Sequence, residues 1–389
     1  VIRVVLVDDS PSVRAVLRRF FARTADLKVV AEASDGAAAV QAVLDHQPQV
    51  VVMDLLMPVM DGYDAIERIM AWRPTPIVVL SSRANRNQMQ TAFEAIRRGA
   101  IEVLPKPEDT GSWEVLAESL PVAVRVAADA RPRAISRPAP ARQPQRSPPP
   151  VAGAGAAPRG GGAAAGAPGL RHAAARETAR DTARDKAGSG QPARGGAALR
   201  WVAIGASTGG PAAIRELLEE LPAAPPVSIL IVQHIAAGFE AAFAEWLNKE
   251  LPLDVRLARE GERPAPGAVR LAPAGAHLLL EAGGMLHLDT ATPARRGHRP
   301  SVDELFLSCA RSCPDATAGV LLTGMGNDGV EGLAALHQAG ALTLVQDVAS
   351  SVVFGMPRVA LERGAARLAQ APRDLANTLA RRWRGRGEP

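Results

Sequence analysis

The sequence predicts two doubly wound parallel α/β domains separated by a long linker. Three observations predict it. At 389 residues the chain exceeds one ordinary domain. Short aliphatic runs alternate with helical periods on both sides of a middle segment. That middle, 131–198, holds 20 Ala, 11 Gly and 10 Pro in 68 residues, with Ile135, Val151 and Leu170 as its only large aliphatics.

In the first part, taken as 1–122, the strand signals are the buried-type runs 4–7, 29–33, 50–53, 77–80 and 102–104. Helical periods follow them at 12–23, 37–45, 63–72, 89–97 and 113–123. Five strands alternating with five helices give a parallel sheet covered on both faces. In the second part, taken as 199–389, three segments share one layout of strand, polar or glycine-rich turn, and helix. Strand 201–204 runs into Gly205-Ala206-Ser207-Thr208-Gly209-Gly210 and a helix opened by Pro211. Strand 228–232 runs into Gln233-His234-Ile235, with a helix over 239–250. Strand 320–323 runs into Gly324-Met325-Gly326-Asn327-Asp328-Gly329, with a helix to Gln338 and a further strand at 342–345.

The middle, bounded at 123–198, cannot bury enough apolar area to offset the entropy of ordering, and reads as a disordered, passive tether. It also holds the positive charge. Residues 125–200 carry 14 Lys and Arg against 4 Asp and Glu, a net of +10, so the remainder of this +5 chain is −5. The arginines are dispersed, and the whole chain has only 13 aromatic residues, which argues against nucleic-acid binding. Apolar runs are far too short to span a membrane. The run 1–7 ends in Asp8-Asp9, unlike a secretory signal, so a cytoplasmic location is expected. Cys309 and Cys313 are too few for a disulfide framework or a zinc site, and are expected on one buried helix face.

Ligands of parallel sheets bind beyond the C-terminal strand ends. In the first part those ends carry Asp8, Asp9, Asp54, Ser81 and Lys106. Three converging carboxylates repel unless a hard cation such as Mg²⁺ joins them, and a hydroxyl with an ammonium suits a phosphoryl group. Each Asp taken singly is also an ordinary loop cap. In the second part a Ser, a His and an Asp stand at strand ends. Gly205-Ala206-Ser207-Thr208-Gly209 fits the Gly-x-Ser-x-Gly nucleophile elbow, and the Thr208 N–H is an oxyanion donor candidate. Taken singly, His234 also reads as a core histidine and Asp328 as a helix cap. Gly324-x-Gly326-x-x-Gly329, with Asp347 further on, also satisfies a dinucleotide fingerprint, though the Asp328 carboxylate opposes phosphate there. A first domain that drives a binding output instead of an enzyme is a further alternative, without a helix-turn-helix candidate after Leu199 to support it.

The segments Val7-Asp8-Asp9-Ser10, Met53-Asp54 through Pro58 to Gly62, Leu80-Ser81-Ser82 and Pro105-Lys106-Pro107 resemble the receiver domain of bacterial response regulators. The resemblance implies a flavodoxin-like fold, Asp54 as phosphoacceptor, Asp8 and Asp9 with Asp54 around Mg²⁺, and Ser81 and Lys106 reading the phosphoryl oxygens. Val103 stands where many receivers carry a switching aromatic.

The blocks 205–211, 232–234, 298–303, 322–329 and 353–357 resemble the chemotaxis protein-glutamate methylesterases, and the receiver in front matches that family's domain order. A Rossmann-like second domain is implied, with Ser207 as nucleophile, His234 as base and Asp328 orienting it. Met325 and His298 are implied to line the site, and His277 reads equally as neighbour or core. The implied substrates are methylated glutamates on cytoplasmic domains of methyl-accepting chemoreceptors, with glutamine deamidation as a side activity. The implied phosphodonor is the chemotaxis histidine kinase. Ester hydrolysis itself calls for no cofactor, and neither nucleic acid nor membrane insertion is expected. The unphosphorylated receiver is expected to cover the Ser207 edge, and phosphorylation to move it away.

Overall fold

The computed structural model describes residues 1–82, 86–107, 110–130, 132 and 198–384. Of the expected linker, 131 and 133–197 lie outside the described residues. Among the described residues, no helix is long and apolar enough to cross a membrane.

In the first domain β1 (Ile2–Val7), β2 (Leu27–Ala33), β3 (Val50–Asp54), β4 (Ile77–Ser82) and β5 (Glu102–Lys106) form a parallel sheet in the order β2-β1-β3-β4-β5. Between and after them run α1 (Pro11–Ala22), α2 (Gly36–His46), α3 (Gly62–Trp72), α4 (Arg86–Arg97) and α5 (Thr110–Ala128). Strand side chains alternate between faces. Val4, Leu6, Val50, Val52, Val78 and Leu80 pack with Leu17 and Phe21 of α1 and Leu116, Leu120 and Val124 of α5. Val5, Val7, Val51, Met53, Ile77 and Val79 pack on the other face with α2, α3 and α4. Both faces are apolar, which is why the strands read as unbroken aliphatic runs. Ser10, Asp35 and Asp61 cap α1, α2 and α3. Helix α5 passes through Pro121 and continues beyond the expected end near 123. Burial of Leu120, Val124 and Ala127 against the sheet outweighs the single backbone bond that proline removes.

The second domain contains β6 (Trp201–Ala206), α6 (Gly210–Glu219), β7 (Ser228–Gln233), α7 (Glu240–Glu250), β8 (Asp254–Leu257) and β9 (Ala268–Leu271). There follow β10 (His277–Leu280), β11 (Leu286–Asp289), α8 (Val302–Ser312), β12 (Thr317–Leu321) and α9 (Val330–Gln338). The domain closes with β13 (Leu342–Gln346), α10 (Met356–Glu362), β14 (Leu368–Gln370) and α11 (Pro372–Arg384). Seven strands form a parallel sheet in the order β14-β13-β12-β6-β7-β9-β8, and β10 with β11 makes a separate antiparallel hairpin. Strand β12 ends at Leu321 rather than reaching 323. Thr323 is drawn out of the ladder by its own side chain, whose Oγ1 accepts from Val353 N–H at 2.9 Å and lies 3.0 Å from the Thr208 carbonyl. Cys309 is buried on α8, but Cys313 is the residue after that helix, half-buried and 3.6 Å from Thr317 Oγ1, so the two do not share a helix face.

The two domains pack as one compact unit. Phe93 of α4 is fully buried among Phe239, Phe243 and Trp246 at the start of and along α7, with ring centroids 6.4, 5.3 and 5.8 Å away. Beside it, the Trp246 indole N–H donates to Glu94 at 3.4 Å. At the start of β5, the Glu102 carboxyl accepts a bond from the Thr208 hydroxyl of the second domain.

Candidate active site

In each sheet the chain starts in the middle and builds outwards in both directions. A crevice therefore opens at the strand ends where the direction reverses, between β1 and β3 in one domain and between β6 and β12 in the other. Both candidate sites lie at these crevices.

Asp8 and Asp9 follow β1 and Asp54 ends β3; one oxygen from each lies within 4.8 Å of the others. Asp8 and Asp54 are buried and Asp9 is exposed. Lys106 reaches in from β5, placing Nζ 2.8 Å from Asp8 Oδ2 and bonding Asp54 Oδ2 as well. Burial would pull the Lys106 ammonium down, but its bonds to Asp54 and Asp8 outweigh that and hold it above the usual lysine range. Burial, with Asp54 adding to it, lifts the Asp8 carboxyl against the pull of Lys106. Asp54 Oδ1 accepts from the Leu55 N–H at 2.7 Å, and Ser81 is buried at the end of β4. Three carboxylates sharing one ammonium keep a surplus of negative charge, and their oxygen-only donor set fits a hard divalent cation. Val103 is buried in the core.

In the second domain β12, β6 and β7 are adjacent, so their C-terminal ends lie side by side. Ser207 follows β6, His234 follows β7, and Asp328 stands in the turn between β12 and α9. Gly205 is required by packing: a Cβ there would lie 2.1 Å from Val302 Cγ1. Gly209, at φ +77, turns the chain into α6. Gln233 Nε2 donates to the Ser207 carbonyl at 2.9 Å and to the His234 carbonyl at 2.8 Å, tying the ends of β6 and β7 together.

Asp328 does not cap its own helix; Gly329 does, without a side-chain bond. It caps α8 instead. Its carboxylate accepts from Ser301 Oγ at 2.7 Å, Val302 N–H at 2.7 Å and Asp303 N–H at 3.1 Å. The fourth donor is His234, whose Nε2 lies 2.9 Å from Asp328 Oδ2. Burial alone would raise the carboxyl, but His234, then Ser301 and the Val302 N–H, hold it far below the carboxylate range. The positive end of α8 acts in the same sense. An ionised carboxylate only accepts, so the imidazole proton sits on Nε2 and Nδ1 carries the lone pair. That Nδ1 is buried and, among the described residues, has no hydrogen-bond partner, so Ser207 Oγ is not bonded to it here. Such contacts are often long before substrate arrives.

The His298 ring lies flat on His234, centroids 3.7 Å apart and planes 3° from parallel. Met325 is exposed in the β12–α9 turn. Thr208 follows Ser207 just ahead of α6. His277 is core: it is fully buried, Nδ1 accepts from the Ser301 N–H at 3.1 Å and Nε2 lies 3.2 Å from the Pro293 carbonyl. The dinucleotide alternative meets the wrong charge. Asp303 Oδ1 already takes the Gly332 N–H at 2.8 Å, so two carboxylates stand at the start of α9, and Asp347 is bonded to Ser350 at 2.6 Å. Sequence reasoning missed Ser301, Gln233 and Glu102. Only Ser301 carried a signal, since Ser301-Val302-Asp303-Glu304 is a capping-box pattern.

Comparison with known proteins matches residues 202–379 to the CheB methylesterase and residues 4–115 to the response regulator receiver domain. Protein-glutamate methylesterase/protein-glutamine glutaminase 3 of Anaeromyxobacter dehalogenans is 38% identical over 379 residues, 97% of this chain and 98% of that protein. The corresponding protein 4 of Myxococcus xanthus is 39% identical over 386 residues, 99% and 98% of the two chains. With likeness running through both domains and nearly the full length of each relative, this chain belongs to the CheB methylesterase family, in the form that carries a receiver domain ahead of the catalytic one.

Proposed function

We propose that this chain hydrolyses methyl esters of glutamate side chains on chemoreceptors, releasing methanol, and deamidates receptor glutamines by the same chemistry. The observation that carries the reading is the clamped His234–Asp328 pair, which leaves a buried imidazole lone pair at the strand end next to Ser207. Ser207 Oγ attacks the ester carbonyl while His234 Nδ1 takes its proton. The resulting imidazolium is stabilised by ionised Asp328. The tetrahedral oxyanion is held by the Thr208 N–H at the start of α6, with Met325 beside it. His234 then returns the proton to the leaving methoxide. Water repeats the sequence on the acyl-enzyme and leaves glutamate. For glutamine the leaving group is ammonia.

In the same reading residues 1–122 receive a phosphoryl group on Asp54 from a chemotaxis histidine kinase. Asp8, Asp9 and Asp54 would hold Mg²⁺, which neutralises charge at the phosphoryl group, and Ser81 and Lys106 would contact its oxygens. Residues 199–389 form the catalytic domain, working in the cytoplasm where the receptor helices lie. The measurement that tests this is methanol release from methylated receptor membranes, with and without a small phosphodonor plus Mg²⁺, for wild type and Ser207→Ala. Release that rises with phosphodonor and vanishes in Ser207→Ala is expected; no release from wild type overturns the assignment.

The burial of Glu102 beside Thr208 gives the docked receiver a pH dependence. Burial lifts this carboxyl from an ordinary 4.5 to about 7, against the opposing bond from Thr208. Because burial penalises the ionised carboxyl more than the Thr208 bond favours it, the buried neutral group is fully tolerated below the ordinary carboxylate value and becomes unfavourable as pH rises through about 7. The ratio of basal to phosphodonor-stimulated release is therefore expected to climb from mildly acidic to mildly alkaline pH in wild type and to stay level in Glu102→Gln. Parallel profiles for the two proteins would show that Glu102 does not report on docking.

A further inference from the structure

The bond from His234 to Asp328 fixes one point of the imidazole, Nε2, and leaves the ring plane free to swing about that point. The direction of the Nδ1 lone pair depends on that plane, and no hydrogen bond holds Nδ1 among the described residues. A flat surface against the ring face supplies the missing constraint. His298 is that surface, at 3.7 Å and 3°. We infer that His298 is a positioning residue of the hydrolysis: its stacked ring sets the plane of His234 and so aims the base at Ser207.

The backbone around His298 is built to hold it. The N–H and carbonyl of His298 both pair with Arg295, at 2.9 and 3.0 Å, closing a tight turn through Arg296 and Gly297, both at positive φ. Arg295 and Arg296 are anchored to Asp303, Glu304 and Glu331, and Arg299 to the carbonyls of Thr290 and Thr292. The guanidiniums of this turn are thus committed to other partners. The groups that face the His298 ring are His234 and, through it, Asp328. Burial first, then the neighbouring His234, depress the pKa of His298, and Asp328 opposes them only in part. His298 therefore stays neutral while His234 takes the serine proton. A neutral π-face against an imidazolium is attractive, whereas two stacked imidazoliums would repel.

The inference rests on the serine-hydrolase reading of this site, and its test is chosen to stand apart from the receptor substrate. The full chain, treated with phosphodonor and Mg²⁺, is reacted with a fluorophosphonate probe that phosphonylates an activated serine, fluoride leaving from phosphorus, and needs neither receptor nor methyl ester. Wild type, His298→Ala and His298→Phe are compared for maximal phosphonylation rate and for half-saturating probe concentration. Loss of aim at this range costs up to about 10²-fold in rate, so His298→Ala is expected to be slowed by at least about tenfold at nearly unchanged half-saturation. His298→Phe keeps a flat ring and is expected to recover most of the loss. His298→Ala reacting within twofold of wild type, or His298→Phe reacting no faster than His298→Ala, overturns the proposal. Normal phosphonylation by the probe in a protein that releases no methanol would overturn the substrate assignment and leave the role of His298 standing.

Discussion

Asp328→Asn is expected to lower methanol release by about 10⁴-fold, the scale seen when a triad carboxylate becomes an amide. The carboxylate meets four donors, namely His234 Nε2, Ser301 Oγ and the N–H groups of Val302 and Asp303. An amide of the same shape has a single oxygen and must turn its NH₂ towards at least one of them. Turned towards His234, the NH₂ demands an acceptor at Nε2 and moves the imidazole proton to Nδ1, the atom that has to accept from Ser207. In either orientation it also opposes one N–H of the first turn of α8, Val302 beside His234 or Asp303 beside Ser301, a mismatch of about 1–3 kcal/mol at a buried site. The variant should therefore lose stability as well as turnover, while Ser207→Ala should lose turnover at an unchanged melting temperature. Methanol release and thermal unfolding of the two variants, side by side, check both statements. Turnover of Asp328→Asn within tenfold of wild type would mean that Asp328 does not orient the base.

Much of this was legible in the sequence for one physical reason. A parallel sheet buried on both faces needs uninterrupted aliphatic runs, and Val50–Asp54 or Ser228–Gln233 cannot be mistaken for amphipathic surface. Polar residues just past such runs stand out, so the strand ends themselves point to Asp54, Ser207 and His234 as candidates. What escaped were short elements whose polar residues are satisfied by distant partners. Strand β9 carries Arg270 almost fully buried, neutralised by Glu262 and Asp254 from outside the strand, and local pattern cannot show that. The sequence suggests that Asp328 is a helix cap but not of which helix, because the helix it caps begins 26 residues earlier in the chain, at Val302. The domain seam was invisible for a related reason. On its own helix Phe93 looks like receiver core, and only the aromatic residues of α7 show that it is shared.

Phe93→Ala is expected to raise the basal rate of the unphosphorylated enzyme close to its phosphodonor-stimulated rate. The ring is fully buried, yet three of its neighbours, Phe239, Phe243 and Trp246, belong to the other domain. Removing a buried Phe costs about 3–5 kcal/mol where the site cannot collapse. Here much of that cost falls on the docking equilibrium rather than on folding of the receiver, and even 3 kcal/mol is a shift of about 10²-fold in its population. The contact is also well placed to respond to Asp54. Lys106, which bonds Asp54, and Glu102, which meets Thr208, are the two ends of one strand, about 13 Å apart at strand rise. Ser81 is the last residue but one of β4, the strand that leads into α4, the helix that carries Phe93. In the proposed reading, a phosphoryl group that draws Lys106 and Ser81 towards itself would move the two elements that grip the catalytic domain. In Phe93→Ala the grip is already lost, so the phosphodonor should add little, although Asp54 should still accept phosphate, which separates release from misfolding. A Phe93→Ala protein with wild-type basal rate and full stimulation would show that the seam between α4 and α7 does not restrain the enzyme.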